Sequence, residues 1–274
     1  MRVDAHQHFW QYSNEEFGWI SDPMASIRRD FAPADLHPLI QNVAIDATIA
    51  VQARQSLEET NWLLQLAAEN NWIAGVVGWV SLVDPNVEPI LEILAANPKL
   101  KGVRHVLQAE PVTYMAREDF NVGISLLHRF SLVYDILVVE NQLPASIDLV
   151  DRHPNQVFVL DHLAKPMIAS HQLEPWRTNI LELAKRPNVS CKISGMVTEA
   201  DLIHWTKADL VPYVDTVLEA FGPSRILFGS DWPVCTVAAS YGDWFALVQG
   251  FLGNLSSNER AQVLGGNAIQ IYGL

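Results

Sequence analysis

The chain has 274 residues, 49% of them hydrophobic, with 18 Lys and Arg against 31 Asp and Glu, for a formal net charge of −13. That length suits one large domain, and the acidic balance opposes nucleic-acid phosphates and anionic lipid surfaces as partners. It also weakly favours a neutral small molecule over a highly anionic one. No apolar run approaches the roughly 18 residues of a membrane span, and no signal-peptide pattern opens the chain. Cys191 and Cys235 form neither a CxxC pair nor a disulfide framework. The chain therefore reads as a soluble cytoplasmic protein with reduced thiols, and a homo-oligomer is left open.

Short runs rich in Val, Ile and Leu alternate with amphipathic stretches, the order expected of βα units around a parallel sheet. Strands are predicted at 2 to 6, 43 to 51, 73 to 82, 101 to 106, 132 to 139, 156 to 161, 188 to 193 and 225 to 230. Eight strands in about 250 residues make a (β/α)8 barrel, with residues 1–274 as its single domain. Between strands two and three, Ser56-Leu57-Glu58-Glu59 has the form of a capping box. After strand three, Asp84-Pro85 offers an N-cap followed by Pro at the first helical position. Residues 9 to 32, 107 to 119 and 162 to 173 are too long for ordinary βα loops. They are the expected lid elements, because loops after barrel strands line the active mouth.

Polar residues recur where these strands end: His6 and His8, Gln52, Arg104 and His105, His162, Lys192 and Ser194, and Asp231. Polar groups closing apolar strands are costly unless paired or used. Two histidines at i and i+2 on an extended segment point to one side, roughly 6.5 to 7 Å apart, and barrel closure would set Asp231 opposite them. Asp161 also fits a structural acid at a strand end, and Arg104 and Lys192 also fit ion pairs with such acids. His37, His128, His153, His171 and His204 lie in helical or loop contexts and read as structural. Among nine Trp, Trp10, Trp79 and Trp232 lie near strand ends, where an indole could stack on a sugar. No P-loop, nucleophile elbow or dinucleotide fingerprint is present.

At Asp4-Ala5-His6-Gln7-His8-Phe9-Trp10, Lys101-Gly102-Val103-Arg104-His105, Asp161-His162-Leu163-Ala164-Lys165-Pro166, Cys191-Lys192-Ile193-Ser194-Gly195, Phe228-Gly229-Ser230-Asp231-Trp232-Pro233 and the closing Gly266-Asn267-Ala268, the sequence resembles the amidohydrolase superfamily. The likeness is to its branch of sugar lactonases, those acting on L-fuconolactone or L-rhamnonolactone, and it spans nearly the whole chain. It implies a distorted (β/α)8 barrel and a hydrolase of carboxylic esters in carbohydrate metabolism. Asp231 matches the catalytic aspartate, His6 and His8 the first-strand pair, and His162 a residue that helps to hold the hydrolytic water.

Metal-dependent members of the superfamily add a carboxylated Lys or a Glu on strand four, or a His on strand five. This chain has neither. Catalysis is thus expected to need no cofactor, with zinc or another divalent ion able to use only His6, His8 and Asp231 as clear protein ligands. The expected reaction is hydrolysis of an aldonic acid lactone by water activated at Asp231. The oxyanion would be met by His6, His8, Arg104 or Lys192, and Gln52, Arg104, His105, Lys192, Trp10 and Trp232 would contact substrate. Two alternatives share the barrel: a metal-dependent decarboxylase in which Arg104 grips a carboxylate, and a non-catalytic sugar-binding barrel.

Overall fold

The computed structural model describes residues 1–274. Eight parallel strands follow one another around a single sheet: β1 Val3–Gln7, β2 Ala47–Val51, β3 Ile73–Gly78, β4 Leu100–His105, β5 Val133–Ile136, β6 Phe158–Leu160, β7 Val189–Ile193 and β8 Ile226–Phe228. Helices fill the intervals, which gives the (β/α)8 barrel that alternation predicts. Strands β1 and β4 keep their expected lengths, shifted by one residue, and the other six are shorter than expected. Residues 43 to 46 do not extend β2, because the Val43 N–H still bonds the preceding helix at Ile40 O and Ala44 turns with a φ of 56°.

The barrel closes by a sparse seam in place of a full ladder. Between β8 and β1 there is one isolated bridge, Gln7 to Trp232, with His8 N donating to Trp232 O at 2.7 Å and Asp231 N donating to His6 O at 2.8 Å. This seam is the distortion in the barrel, and it is also where the first and last motifs meet.

Two apolar layers surround the strands. The larger packs the outer strand faces against the helices. The smaller fills the barrel's base with Val3, Ala5, Ala47, Ile49, Val51, Val77, Val133, Val159 and Leu227, capped by Ala268 and Tyr272 of the C-terminal helix Asn267–Tyr272. Asn267 fixes that helix by donating to Ile226 O at 2.7 Å and Pro223 O at 2.8 Å, which gives the closing Gly-Asn-Ala motif a structural duty.

Two helix-start expectations need correction. Ser56 accepts from Glu59 N at 3.1 Å as expected, but the Glu59 carboxylate does not return to the cap. It accepts from Ala53 N at 3.1 Å and Arg54 N at 2.6 Å, fixing the turn after β2. Asp84 does not cap a helix beginning at Pro85: it accepts from Asn86 N at 2.8 Å in a local turn, and the helix begins at Val87. The three long segments carry short 3-10 turns, among them Asp22–Ile27, Val112–Ala116 and Ile168–Ser170. No helix is long and apolar enough to cross a membrane.

Candidate active site

β1 holds one residue more than its partner. Asp4 pairs with Thr48 but Gln7 pairs with Ala50, a bulge between them, and a bulge re-aims the side chains that follow it. Before the bulge, Asp4 faces outward to the Tyr241 hydroxyl, 2.9 Å away, between the inward Val3 and Ala5 of the barrel base. His6 and His8 then both face the barrel mouth.

There they meet Asp231. His6 Nε2 lies 3.1 Å from His8 Nε2, and Asp231 Oδ1 lies 3.3 Å from His8 Nε2 and 3.8 Å from His6 Nε2. His162 Nε2 completes the group at 3.9 Å from the same oxygen. Only His8, His162 and Asp231 reach solvent, at 5%, 3% and 4% exposure; His6 is fully enclosed. The group forms the floor of the mouth.

Hydrogen bonding fixes one proton. His8 Nδ1 is 2.7 Å from Val51 O; a carbonyl only accepts, so that nitrogen carries a proton and Nε2 is the atom that faces the group. An imidazole lone pair and a carboxylate oxygen 3.3 Å apart repel unless a shared proton or a cation sits among them. Burial pushes the Asp231 carboxyl up, but the imidazoles of His162, His8 and His6 outweigh it and hold the group well below the ordinary carboxylate range. Burial pushes His162 down to about 4 against the pull of Asp231 and Asp161, so the ring is neutral at pH 7.

His162 sits in an unusual turn. His162, Leu163, Ala164 and Lys165 all have positive φ, 51°, 55°, 59° and 49°. A left-handed run costs roughly 1 to 2 kcal/mol per residue, and such strain persists where surroundings over-determine it. Here Trp176 Nε1 donates to Leu163 O at 2.6 Å and Ser194 Oγ lies 2.9 Å from His162 Nδ1. Lys165 at the end of the turn pairs with Glu199 at 3.6 Å, a pair the sequence reading did not single out.

Beneath His6 is a buried set of charges. Asp161 Oδ1 lies 3.2 Å from His6 Nδ1 and 3.0 Å from Lys192 Nζ, while Asp161 Oδ2 accepts from Arg104 Nη1 at 3.0 Å. Burial raises the Asp161 carboxyl, but Lys192, His6 and Arg104 together hold it well below its usual range. Lys192 also bonds Asp135 at 2.5 Å and has no exposed surface, so its expected substrate contact gives way to an enclosed ion pair. Arg104 is similarly occupied: Nη2 donates to Gln52 O, and Nη1 lies 3.3 Å from His6 Nε2.

The remaining expected residues divide. Gln52 donates to Arg104 O at 3.2 Å and leaves its buried Oε1 without a protein partner. His105 points away from the histidines, stacked on Tyr114 at 5.0 Å, between Trp79 Nε1 at 3.3 Å and Glu110 at 3.0 Å. Trp10 and Trp232 are buried, and the Trp10 ring centroid lies 6.4 Å from that of His8. The Trp10 indole donates to Arg29 O, and both rings pack edge-on against Phe31. Asp135 was missed by the sequence reading, although a lone acid inside the apolar run Leu132 to Val139 signals a buried partner.

His6, His8 and Asp231 have ligand atoms within 4.8 Å of one another. Two imidazole nitrogens and a carboxylate suit zinc, which accepts three protein ligands and leaves a position open. Asp161 behind His6 gives the carboxylate–imidazole support common at such ions. A second grouping, His6, Asp161 and His162, is less open because Lys192 and Arg104 already occupy the Asp161 oxygens.

Residues 3–274 match the amidohydrolase family. The chain belongs to that family. This amidohydrolase is 42% identical to an L-fucono-1,5-lactonase of Burkholderia multivorans over 100% of its own length and 96% of the relative's. It is 38% identical to an L-fucono-1,5-lactonase of Burkholderia ambifaria, covering 99% of this chain and 95% of the other. Among solved structures, an amidohydrolase from Burkholderia multivorans with bound zinc superposes at a TM-score of 0.96 and 42% identity, covering 100% and 99% of the two chains.

Proposed function

We propose that this amidohydrolase opens sugar lactones to aldonic acids, with L-fucono-1,5-lactone as the first substrate to test. What carries the reading is the 42% identity to an L-fucono-1,5-lactonase along the entire chain. The grouping of Asp231 with His6, His8 and His162 supports it.

Asp231 is ionised at any working pH, so it always presents a lone pair to water. A carboxylate of such low basicity accelerates mainly by holding the nucleophile in line, an effect that can reach several kcal/mol. Water held by Asp231 and His162 attacks the lactone carbonyl, and the carbonyl carbon's bond to the ring oxygen then breaks. The proton taken from water passes to that oxygen, with neutral His162 as the adjacent carrier. Arg104, whose Nη1 lies 3.3 Å from His6 Nε2, contributes positive charge toward the forming oxyanion. The free Oε1 of Gln52 and the unpartnered Nε of Arg104 suit a sugar hydroxyl or a bound water.

His6, His8 and Asp231 are also the residues that would hold a divalent ion such as zinc, which when bound polarises a carbonyl as a Lewis acid. The donor set thus favours a metal-binding site over the expectation that no cofactor is involved. The decarboxylase alternative loses its carboxylate grip, since both terminal nitrogens of Arg104 are engaged by Asp161 and Gln52, and strand five carries no histidine.

A panel of 1,4- and 1,5-aldonolactones assayed by acid release, with and without chelator, tests the proposal. Enzyme-dependent opening of L-fucono-1,5-lactone is expected. Binding without turnover across the panel would select the non-catalytic barrel instead.

A further inference from the structure

The mechanism leaves three buried groups unused, and they form a line. Tyr272, in the helix that plugs the barrel base, donates its hydroxyl to Asp135 Oδ1 at 2.7 Å. Asp135 Oδ2 bonds Lys192 Nζ at 2.5 Å, and the same ammonium lies 3.0 Å from Asp161 Oδ1 and 3.3 Å from His6 Nδ1. Lys192 also stands 5.6 Å from the Tyr272 ring centroid. Asp135, Asp161 and Lys192 are fully enclosed and Tyr272 nearly so, at 4%.

Such a set is costly to bury for stability alone, because well-packed apolar residues often do as well. Its arrangement is directional. Both Asp161 and Lys192 address one nitrogen, His6 Nδ1, an acceptor and a donor side by side. Two carboxylates, Asp135 and Asp161, face two cations, Lys192 and Arg104, so the set balances its own charge. We infer that Tyr272, Asp135 and Lys192 are positioning residues that hold Asp161, and through it the ring of His6, making the C-terminal helix a working part of the active site. The inference concerns the same site as the lactonase reading, but only its kinetic consequence rests on that reading.

The test uses the full chain with Tyr272→Phe, which removes one hydroxyl and keeps the packing, and Asp135→Asn. Lys101→Met is the control: it loosens the same C-terminal segment by removing the 2.7 Å bond from Lys101 Nζ to Gly273 O, yet touches no member of the line. Three quantities are read on folded protein: the His6 ring N–H signal in nitrogen-15 NMR, identified by its loss in His6→Asn; zinc affinity by chelator competition; and kcat and KM for L-fucono-1,5-lactone.

Both variants of the line are expected to shift the His6 signal and to weaken zinc, Asp135→Asn by about tenfold, the low end for partners behind a ligand. kcat is expected to fall with KM unchanged, and Lys101→Met to match wild type in all three. Variants that melt earlier but keep the wild-type His6 signal and zinc affinity would overturn the inference, as would an equal effect of Lys101→Met. If the wild type opens no lactone, the kinetic result falls with the lactonase reading, while the NMR signal still decides the positioning role.

Discussion

Asp4 Oδ1 accepts the backbone N–H of His6 at 3.1 Å, so the outward side chain just before the β1 bulge stitches the very residue that the bulge turns inward. The same oxygen takes Ser230 N at 2.8 Å, and Oδ2 takes the Tyr241 hydroxyl. One carboxylate therefore ties β1 to the loop that carries Asp231.

Asp4→Ala is expected to cost about 3 kcal/mol or more in chemical denaturation, because it orphans buried donors in a packed seam. Asp4→Asn keeps the shape and should retain the fold, yet lower kcat more than KM as His6 and Asp231 drift apart. A variant of wild-type stability and turnover would show that the seam is held by other means.

Two glycines set how closely the imidazoles pack. A Cβ on Gly229 would lie 2.8 Å from His6 Cβ, and one on Gly195 would lie 2.5 Å from His162 Nδ1 at a φ of +62° that disfavours any side chain. Gly195→Ala and Gly229→Ala are each expected to lose about 1 to 3 kcal/mol of stability. Lactone turnover should drop at least tenfold at temperatures where both remain folded. Unchanged kinetics in Gly195→Ala would remove His162 from the site.

Burial holds His162 near pH 4 in the folded chain, whereas an unfolded histidine takes its proton near 6.5. Between those values the unfolded chain binds a proton that the native ring refuses. The ring's contribution is thus complete above pH 6.5 and is lost progressively as pH falls toward 4, by about 3 kcal/mol in all. Urea titrations of metal-free His162→Gln should give a flatter stability–pH curve than wild type over this window. Parallel curves would mean that His162 is solvated and charged.

The fold was legible because each strand is an apolar run of the right spacing, and the grouping of His6, His8 and Asp231 followed from barrel closure. What could not be read was direction. Alternation from Asp4 places it on the same face as His6, and only the bulge separates them. Lys192 and Arg104 fitted substrate contacts and ion pairs alike, because a strand-end cation carries no mark of its partner. Their acids are Asp135 on β5 and Asp161 just past β6, at 57 residues' remove in each case. Trp10 and Trp232 stood at the right chain positions for a sugar platform, yet their rings serve the packing around Phe31.

Zinc binding follows from the same geometry. Equilibrium dialysis of the purified chain is expected to give one ion per protein, abolished in His8→Asn and weakened about 10- to 100-fold in Asp161→Asn, which removes the charge behind His6. Equal affinity in all three proteins would place the ion elsewhere.

The most direct measurement is the turnover of L-fucono-1,5-lactone by Asp231→Asn, with folding confirmed by circular dichroism. If Asp231 aligns the attacking water, kcat should fall by at least two to three orders of magnitude while the spectrum is unchanged. Near wild-type kcat in the folded variant would contradict the assignment of hydrolysis to this cluster.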